Sequence, residues 1–130
     1  MEHLGLAATD TVALKDWYCR VLDARVVFDN GASPPAFLLS LPGGPLLELY
    51  PAAHRRAETA DNSLAGLRHL ALRVPSLEGA RAALSARGVR LTEPVKPAGG
   101  GGQVQFFSDP EGNLLHLVER PAGWTPPLAG

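Results

Sequence analysis

The sequence contains little that points to an unusual environment. Cys19 is its single cysteine, so an intrachain disulfide is impossible. It stands beside Trp17 and Tyr18 in an amphipathic stretch and reads as a small core residue rather than a nucleophile. An excess of one charge is also missing: 12 basic and 13 acidic residues give a formal net charge of -1, without a block of like sign. That speaks against nucleic acid and anionic membranes as partners. No apolar run approaches the roughly 20 residues of a membrane-spanning helix. The opening MEHLGLAATD lacks the basic segment and long apolar stretch of a secretory signal, so a cytoplasmic location is expected. Aromatic residues make up only 6%, which argues against a cleft walled by rings.

What is present suits one compact domain. The 130 residues are 45% hydrophobic and 19% charged, enough to bury a core. The chain also repeats itself. HLGLAATDTVALKDWYCRVLDARVV, from His3, aligns with HLALRVPSLEGARAALSARGVRL, from His69. Both open His-Leu-small-Leu, pass through a turn into a helical stretch, and end in a β-prone run. PLLELYP, from Pro45, aligns with NLLHLVERP, from Asn113. The shared Leu-Leu-X-Leu places Glu48 opposite His116. A repeat of this kind means two copies of one supersecondary unit sharing a core.

The periodicities supply the elements. Residues 3–8 predict a strand. Thr9-Asp10-Thr11 offers an N-cap, and Val12, Leu14, Trp17, Val21 and Leu22 form a helical stripe. Strands are predicted at 25–29, 36–41 and 45–50, separated by the Asn30-Gly31 and Pro34-Pro35 loop and the Pro42-Gly43-Gly44 turn. Residues 52–66 connect the halves. The second half predicts a strand at 68–74, a helix capped by Ser76 and closed after Arg87 by Gly88, and a short strand at 89–92. A glycine-rich loop at 94–102 follows, read equally as a flap or a plain connection. Strands at 103–108 and 114–119 flank the Asp109-Pro110-Glu111-Gly112-Asn113 turn. The tail 121–130 is too rich in Pro and Gly to be regular. The result is a single α+β domain of two βαβββ modules, about 1–51 and 67–120, whose sheets curl into an open barrel around a cleft.

Four polar residues stand at matched places in this pattern: His3 with His69, and Glu48 with His116. Small neighbours, Gly5 and Ala7 beside His3 and Ala71 beside His69, leave space before the imidazoles. Glu48 and His116 each interrupt an apolar run and need a partner there. A lone buried histidine is more often a hydrogen-bonded core residue than a ligand. Four such residues at repeat-equivalent positions point instead to a divalent ion such as Fe, Ni, Co, Mn or Zn. With a single carboxylate in the set the ion would remain Lewis-acidic. Arg73 and Phe106 are candidate substrate contacts, although a solvated strand-end arginine is the more ordinary reading of Arg73 and strand parity leaves Phe106 open between lining the pocket and packing under a helix. His54 lies in a polar connection and reads as solvated.

Together HLGLAATD, WYCRVLDA, LLELYP, GLRHLALRVPS and QVQFFSDPEGNLLHLVE resemble the vicinal oxygen chelate superfamily, over roughly residues 3–120. That superfamily includes glyoxalase I, methylmalonyl-CoA epimerase, fosfomycin-resistance transferases, extradiol dioxygenases and bleomycin-type resistance proteins. The resemblance implies paired βαβββ modules around a metal held by His3, Glu48, His69 and His116. The last of these positions is usually Glu in metal-dependent members, so His116 is a departure. Glu119 falls on the opposite strand face and is a poor substitute. The resemblance also implies a homodimer, in which His3 and Glu48 of one chain can meet His69 and His116 of another. The expected activity is a lyase or isomerase reaction on a small substrate with adjacent oxygens, with Glu48 as the base. An extradiol-type dioxygenase and a non-catalytic drug- or metabolite-binding protein are the alternatives.

Overall fold

In the computed structural model of the protein, residues 1–55 and 57–126 are described. The end of the tail expected to be irregular, 127–130, and Arg56 in the connection lie outside them. The first module contains β1 (His3–Ala8), α1 (Thr11–Leu22), β2 (Arg25–Asp29), β3 (Phe37–Ser40) and β4 (Leu46–Pro51). A 3₁₀ turn, Ala57–Ala60, sits in the connection. The second module contains β5 (His69–Arg73), α2 (Leu77–Ala86), β6 (Lys96–Pro97), β7 (Gln103–Ser108) and β8 (Leu114–Glu119). Each forms a four-stranded mixed sheet, ordered β1-β4-β3-β2 and β5-β8-β7-β6. The fold is therefore α+β, with the βαβββ unit present twice. Neither sheet closes on itself. No helix among the described residues is long and apolar enough to cross a membrane.

Both helices start where the sequence places a cap. The Asp10 carboxylate accepts from Ala13 N at 2.9 Å, and the Ser76 hydroxyl accepts from Gly79 N at 3.1 Å. The end of α2 wraps as expected around Gly88, at φ 87°. Gly88 N donates to Ser85 O and Val89 N to Leu84 O, which satisfies the last carbonyls. This corrects one element: 89–92 is not a strand. Val89 has already spent its N–H on the helix end, and the Gln105 amide donates to Glu93 O at 2.5 Å. The pairing strand is the short β6, further along.

Leu14, Tyr18 and Val21 of α1 pack with Leu39, Leu47 and Leu49 on one face of the first sheet. Leu77 and Leu84 share the same continuous core with Phe107, Leu115 and Leu117 of the second. Each α1 side chain is placed by the 3.6-residue period, but Tyr18 rather than Trp17 is fully buried, and Val12 is 43% exposed. The reason lies in the other module: the Tyr18 hydroxyl donates to the buried Asp109 carboxylate at 2.9 Å. Asp109 also accepts from Glu111 N, Asn113 N and Asn113 Nδ2, so the sharp turn between β7 and β8 is built around it. Burial pushes the Asp109 carboxyl up despite these donors, and burial with the Asp109 charge pushes the Tyr18 phenol well above its ordinary value. From the same turn, Glu111 reaches the start of α1 and accepts from Thr9 Oγ1 and Asp10 N. Arg20 donates to Arg87 O and Arg87 to Val21 O, each at 2.6 Å, tying the helix ends.

Candidate metal centre

Residues facing the core alternate with residues on the opposite face of each sheet. In β4, Leu47 and Leu49 are fully buried, so Glu48 between them projects away from α1. β1 runs parallel to β4 with His3 opposite Leu46 and Gly5 opposite Glu48. His3 is therefore the diagonal neighbour of Glu48, and its Nε2 lies 3.0 Å from Glu48 Oε2. Both side chains are a little under 40% exposed, at 39% and 38%. The Glu2 carboxylate meets the other ring nitrogen, Nδ1. That hydrogen bond raises the His3 pKa; some burial opposes it, and the charges of Glu2 and Glu48 reinforce it. A shallow pocket of about 330 Å³ opens here, with Phe28 and Leu38 beside the pair.

The second module repeats the diagonal. β5 runs parallel to β8 with His69 opposite Leu114 and Ala71 opposite His116. The His69 and His116 ring centroids are 4.8 Å apart. Phe106, opposite His116 on β7, completes a triangle of rings at 5.7 Å from His69 and 4.8 Å from His116. His69 Nδ1 is 2.8 Å from Asn62 Oδ1, and His116 Nδ1 is 3.3 Å from Leu117 O. An Nδ1–H donated to an oxygen leaves Nε2 with its lone pair free, the arrangement a metal-ligating imidazole needs. Burial lowers the pKa of His116, with the neighbouring His69 and Arg120 acting in the same direction.

The structure thus brings the four candidate ligands together as two pairs. Among the described residues, no group of three or more His, Cys, Asp or Glu side chains is close enough to hold an ion. The cavity between the modules, about 390 Å³, is lined by His69 but not by His3, Glu48 or His116. One chain therefore presents two half-sets of ligands. The donor chemistry of each half suits a divalent ion: nitrogen and oxygen donors, with Nδ1 of each imidazole turned toward an oxygen.

Arg73 is exposed and shares the His69 face of β5, and Phe106 packs directly against both histidines. His54 is exposed at the inter-module cavity. Cys19 is half-buried against the core. Glu119 points to the helix side and accepts from Leu77 N at 2.5 Å, away from the His116 face. The glycine-rich stretch is held in place: Arg120 Nη1 donates to Gly99 O and Gly101 O, and Trp124 Nε1 donates to Gly100 O. A Cβ on Gly102 would lie 1.9 Å from Glu119 O, so this approach requires glycine. Sequence reasoning missed Glu2 and Asn62, the partners of His3 and His69. Adjacency to His3 marks Glu2 in retrospect; nothing in the sequence marks Asn62, which the connection brings back to β5.

A family model described as the Glyoxalase/Bleomycin resistance protein/Dioxygenase superfamily matches residues 1–117. The uncharacterized protein YaeR of Escherichia coli (strain K12) is 29% identical over 124 residues, which are 92% of this chain and 95% of that protein. A glyoxalase family protein from Enterococcus faecalis superposes with a TM-score of 0.77 at 29% identity, covering 92% of this chain and 96% of that one. A point mutant of the fosfomycin resistance protein FosX from Listeria monocytogenes, complexed with Mn(II) and 1S,2S-dihydroxypropylphosphonic acid, shares the fold at 16% identity. Its TM-score is 0.68, over 94% of this chain and 90% of FosX.

Proposed function

Since the chain belongs to the glyoxalase/bleomycin resistance protein/dioxygenase superfamily, we propose that it is a metal-dependent lyase or isomerase acting on a small substrate with adjacent oxygens. The observation that carries this reading is the matched diagonal pairs, His3 with Glu48 and His69 with His116, with the Nδ1 of His3, His69 and His116 turned toward an oxygen. Two half-sets on one chain are completed by a second copy, so the proposed assembly is a two-fold dimer. In it His3 and Glu48 of each chain meet the histidine pair of the other. The four residues would hold one divalent ion, and Mn(II) in the FosX structure makes manganese a first choice. When bound, the ion supplies Lewis acidity toward a substrate carbonyl.

The remaining chemistry falls to side chains of this protein. Glu48, half open to solvent and the set's only carboxylate, is the group proposed to take the α-proton and return it. Buried His116 serves as ligand rather than base. Phe106 packs against both imidazoles from the side.

Two measurements test the reading. Purified protein loaded with Mn(II) is expected to exchange solvent deuterium into an α-hydroxycarbonyl, hemithioacetal or acyl-CoA substrate, and Glu48→Gln is expected to slow exchange at least about 100-fold. A loaded protein inactive across all three classes would overturn the lyase or isomerase assignment. The shared site is tested by mixing chains. A His3→Ala/Glu48→Ala chain and a His69→Ala/His116→Ala chain bind no metal separately. Mixed, they should regain about a quarter of the sites, because half the dimers are mixed and each carries one intact site. No recovery, with mixed dimers shown to form, would sink it.

A further inference from the structure

The face of the second sheet that carries the histidine pair carries a second feature one row further along. Ala71, His116 and Phe106 lie side by side across β5, β8 and β7. Two residues on, about 7 Å along the strands, the next row on the same face is Arg73, Val118, Val104 and Lys96, across all four strands. Val118 and Val104 are 5% and 8% exposed and form an apolar floor. A cation stands at each end of it. Arg120, two residues beyond Val118, joins from just past the end of β8. The three positive groups have no carboxylate ion-pair partner among the described residues. They are held by rings instead: the guanidinium groups of Arg73 and Arg120 lie 5.4 and 4.5 Å from the Trp124 ring centroid, and Lys96 lies 5.9 Å from that of Phe106. Arg120 spends Nη1 on the glycine loop, while Arg73 makes one long bond, Nη2 to Trp124 O at 3.4 Å. Most of the five donors on the Arg73 fork therefore remain for a ligand.

The corresponding row of the first module has no such groups. Four residues past His3 and Glu48 stand Ala7 and Ala52, where four residues past His69 and His116 stand Arg73 and Arg120. The cationic row is therefore an addition to one copy of the repeat and not part of its common plan.

We propose that Arg73 and Arg120 around Trp124, with Lys96 at the other end of the row beside Phe106, form a subsite for an oxyanion, a carboxylate or phosphate carried by the substrate about 7 Å from the histidine row. A guanidinium fork matches either group with paired charge-assisted hydrogen bonds. The assignment of this anion to the substrate rests on the reading of the histidine row as part of the reaction site.

The test uses metal-free full-length protein at low ionic strength, where exposed charges are least screened. In a Trp17→Phe background Trp124 is the sole tryptophan and reports on its own surroundings. Titration with inorganic phosphate or with malonate is expected to change its emission saturably, with a dissociation constant on the order of millimolar. Chloride at matched ionic strength should not. The arm that saturates at lower concentration identifies phosphate or carboxylate as the preferred group. Arg73→Gln is expected to weaken binding about tenfold, and Arg73→Lys less, since it keeps the charge and loses the fork. Arg25→Gln, an exposed change in the first module, should leave it unaltered. A response to chloride equal to that of both oxyanions, or an Arg73→Gln titration identical to the parent, overturns the subsite. Mn(II) binding measured on the same variants separates the two readings. Loss of the anion response with metal binding intact removes the subsite alone. An anion response in a protein that binds no metal keeps the subsite and removes the metal reading.

Discussion

In the first module the polar pair, His3 and Glu48, lies on a sheet face half open to solvent; in the second, His116 is only 7% exposed and packed among rings. The backbone plan is the same, with identical strand order and the same diagonal between a residue on the first strand and a residue on the fourth. What differs is the company each pair keeps. Phe28 and Leu38 flank the first pair, whose ring nitrogen and carboxylate oxygen lie 3.0 Å apart. Phe106 and Asn62 orient the second, and uncompensated cations lie beyond it. A repeat can thus preserve geometry while dividing the chemistry: one copy carries a carboxylate beside its histidine at an open face, the other a second histidine that is buried among rings.

Four substitutions probe that comparison, read by thermal and denaturant unfolding. The largest effect is expected where the modules join. Asp109→Ala removes the acceptor of Tyr18, Glu111 and Asn113 and leaves a buried phenol unpaired, which should cost ~3 kcal/mol and roughly 10 °C in Tm. A loss below about 1 kcal/mol would mean that water replaces the carboxylate and that the modules are not tied there.

His116→Ala comes next, at ~2 kcal/mol, because it empties a buried, ring-sized space beside His69 and Phe106. Its counterpart in the first module, Glu48→Ala, should stay within about 0.5 kcal/mol of the parent, as expected for a half-exposed side chain. Equal costs for the two would erase the distinction between a packed pair and an open one.

Glu111→Gln is intermediate, at ~0.5–1 kcal/mol near neutral pH, because a carboxylate there faces the start of α1. Burial alone would raise the Glu111 pKa, but the bonds from Thr9 and Asp10 outweigh it and hold the pKa below its ordinary value of 4.5. A depressed folded-state pKa gives stability that is fully present above 4.5 and is lost as pH falls through the folded value. The parent should therefore lose stability relative to Glu111→Gln on acidification below that point. Parallel pH profiles for the two proteins would show that the contact is inert.

The sequence by itself determined the repeat, both helix caps, the Schellman end of α2 at Gly88 and the face on which each candidate ligand lies. These are matters of local chemistry and of periods of 2 and 3.6 residues, and they survive whatever surrounds them. The superfamily was legible as well, in the strand openings and the DPEGN turn. The tertiary structure decided what depends on distant segments meeting. It buried Tyr18 in preference to Trp17 because Asp109 waits across the module boundary, and it moved the short strand from 89–92 to Lys96–Pro97 because Val89 closes a helix. It also divided the expected four-ligand set into two pairs within a chain. Strand parity tells which side of a sheet a residue faces; it says nothing of where one sheet stands relative to another, and that relation comes from how the two modules share a core.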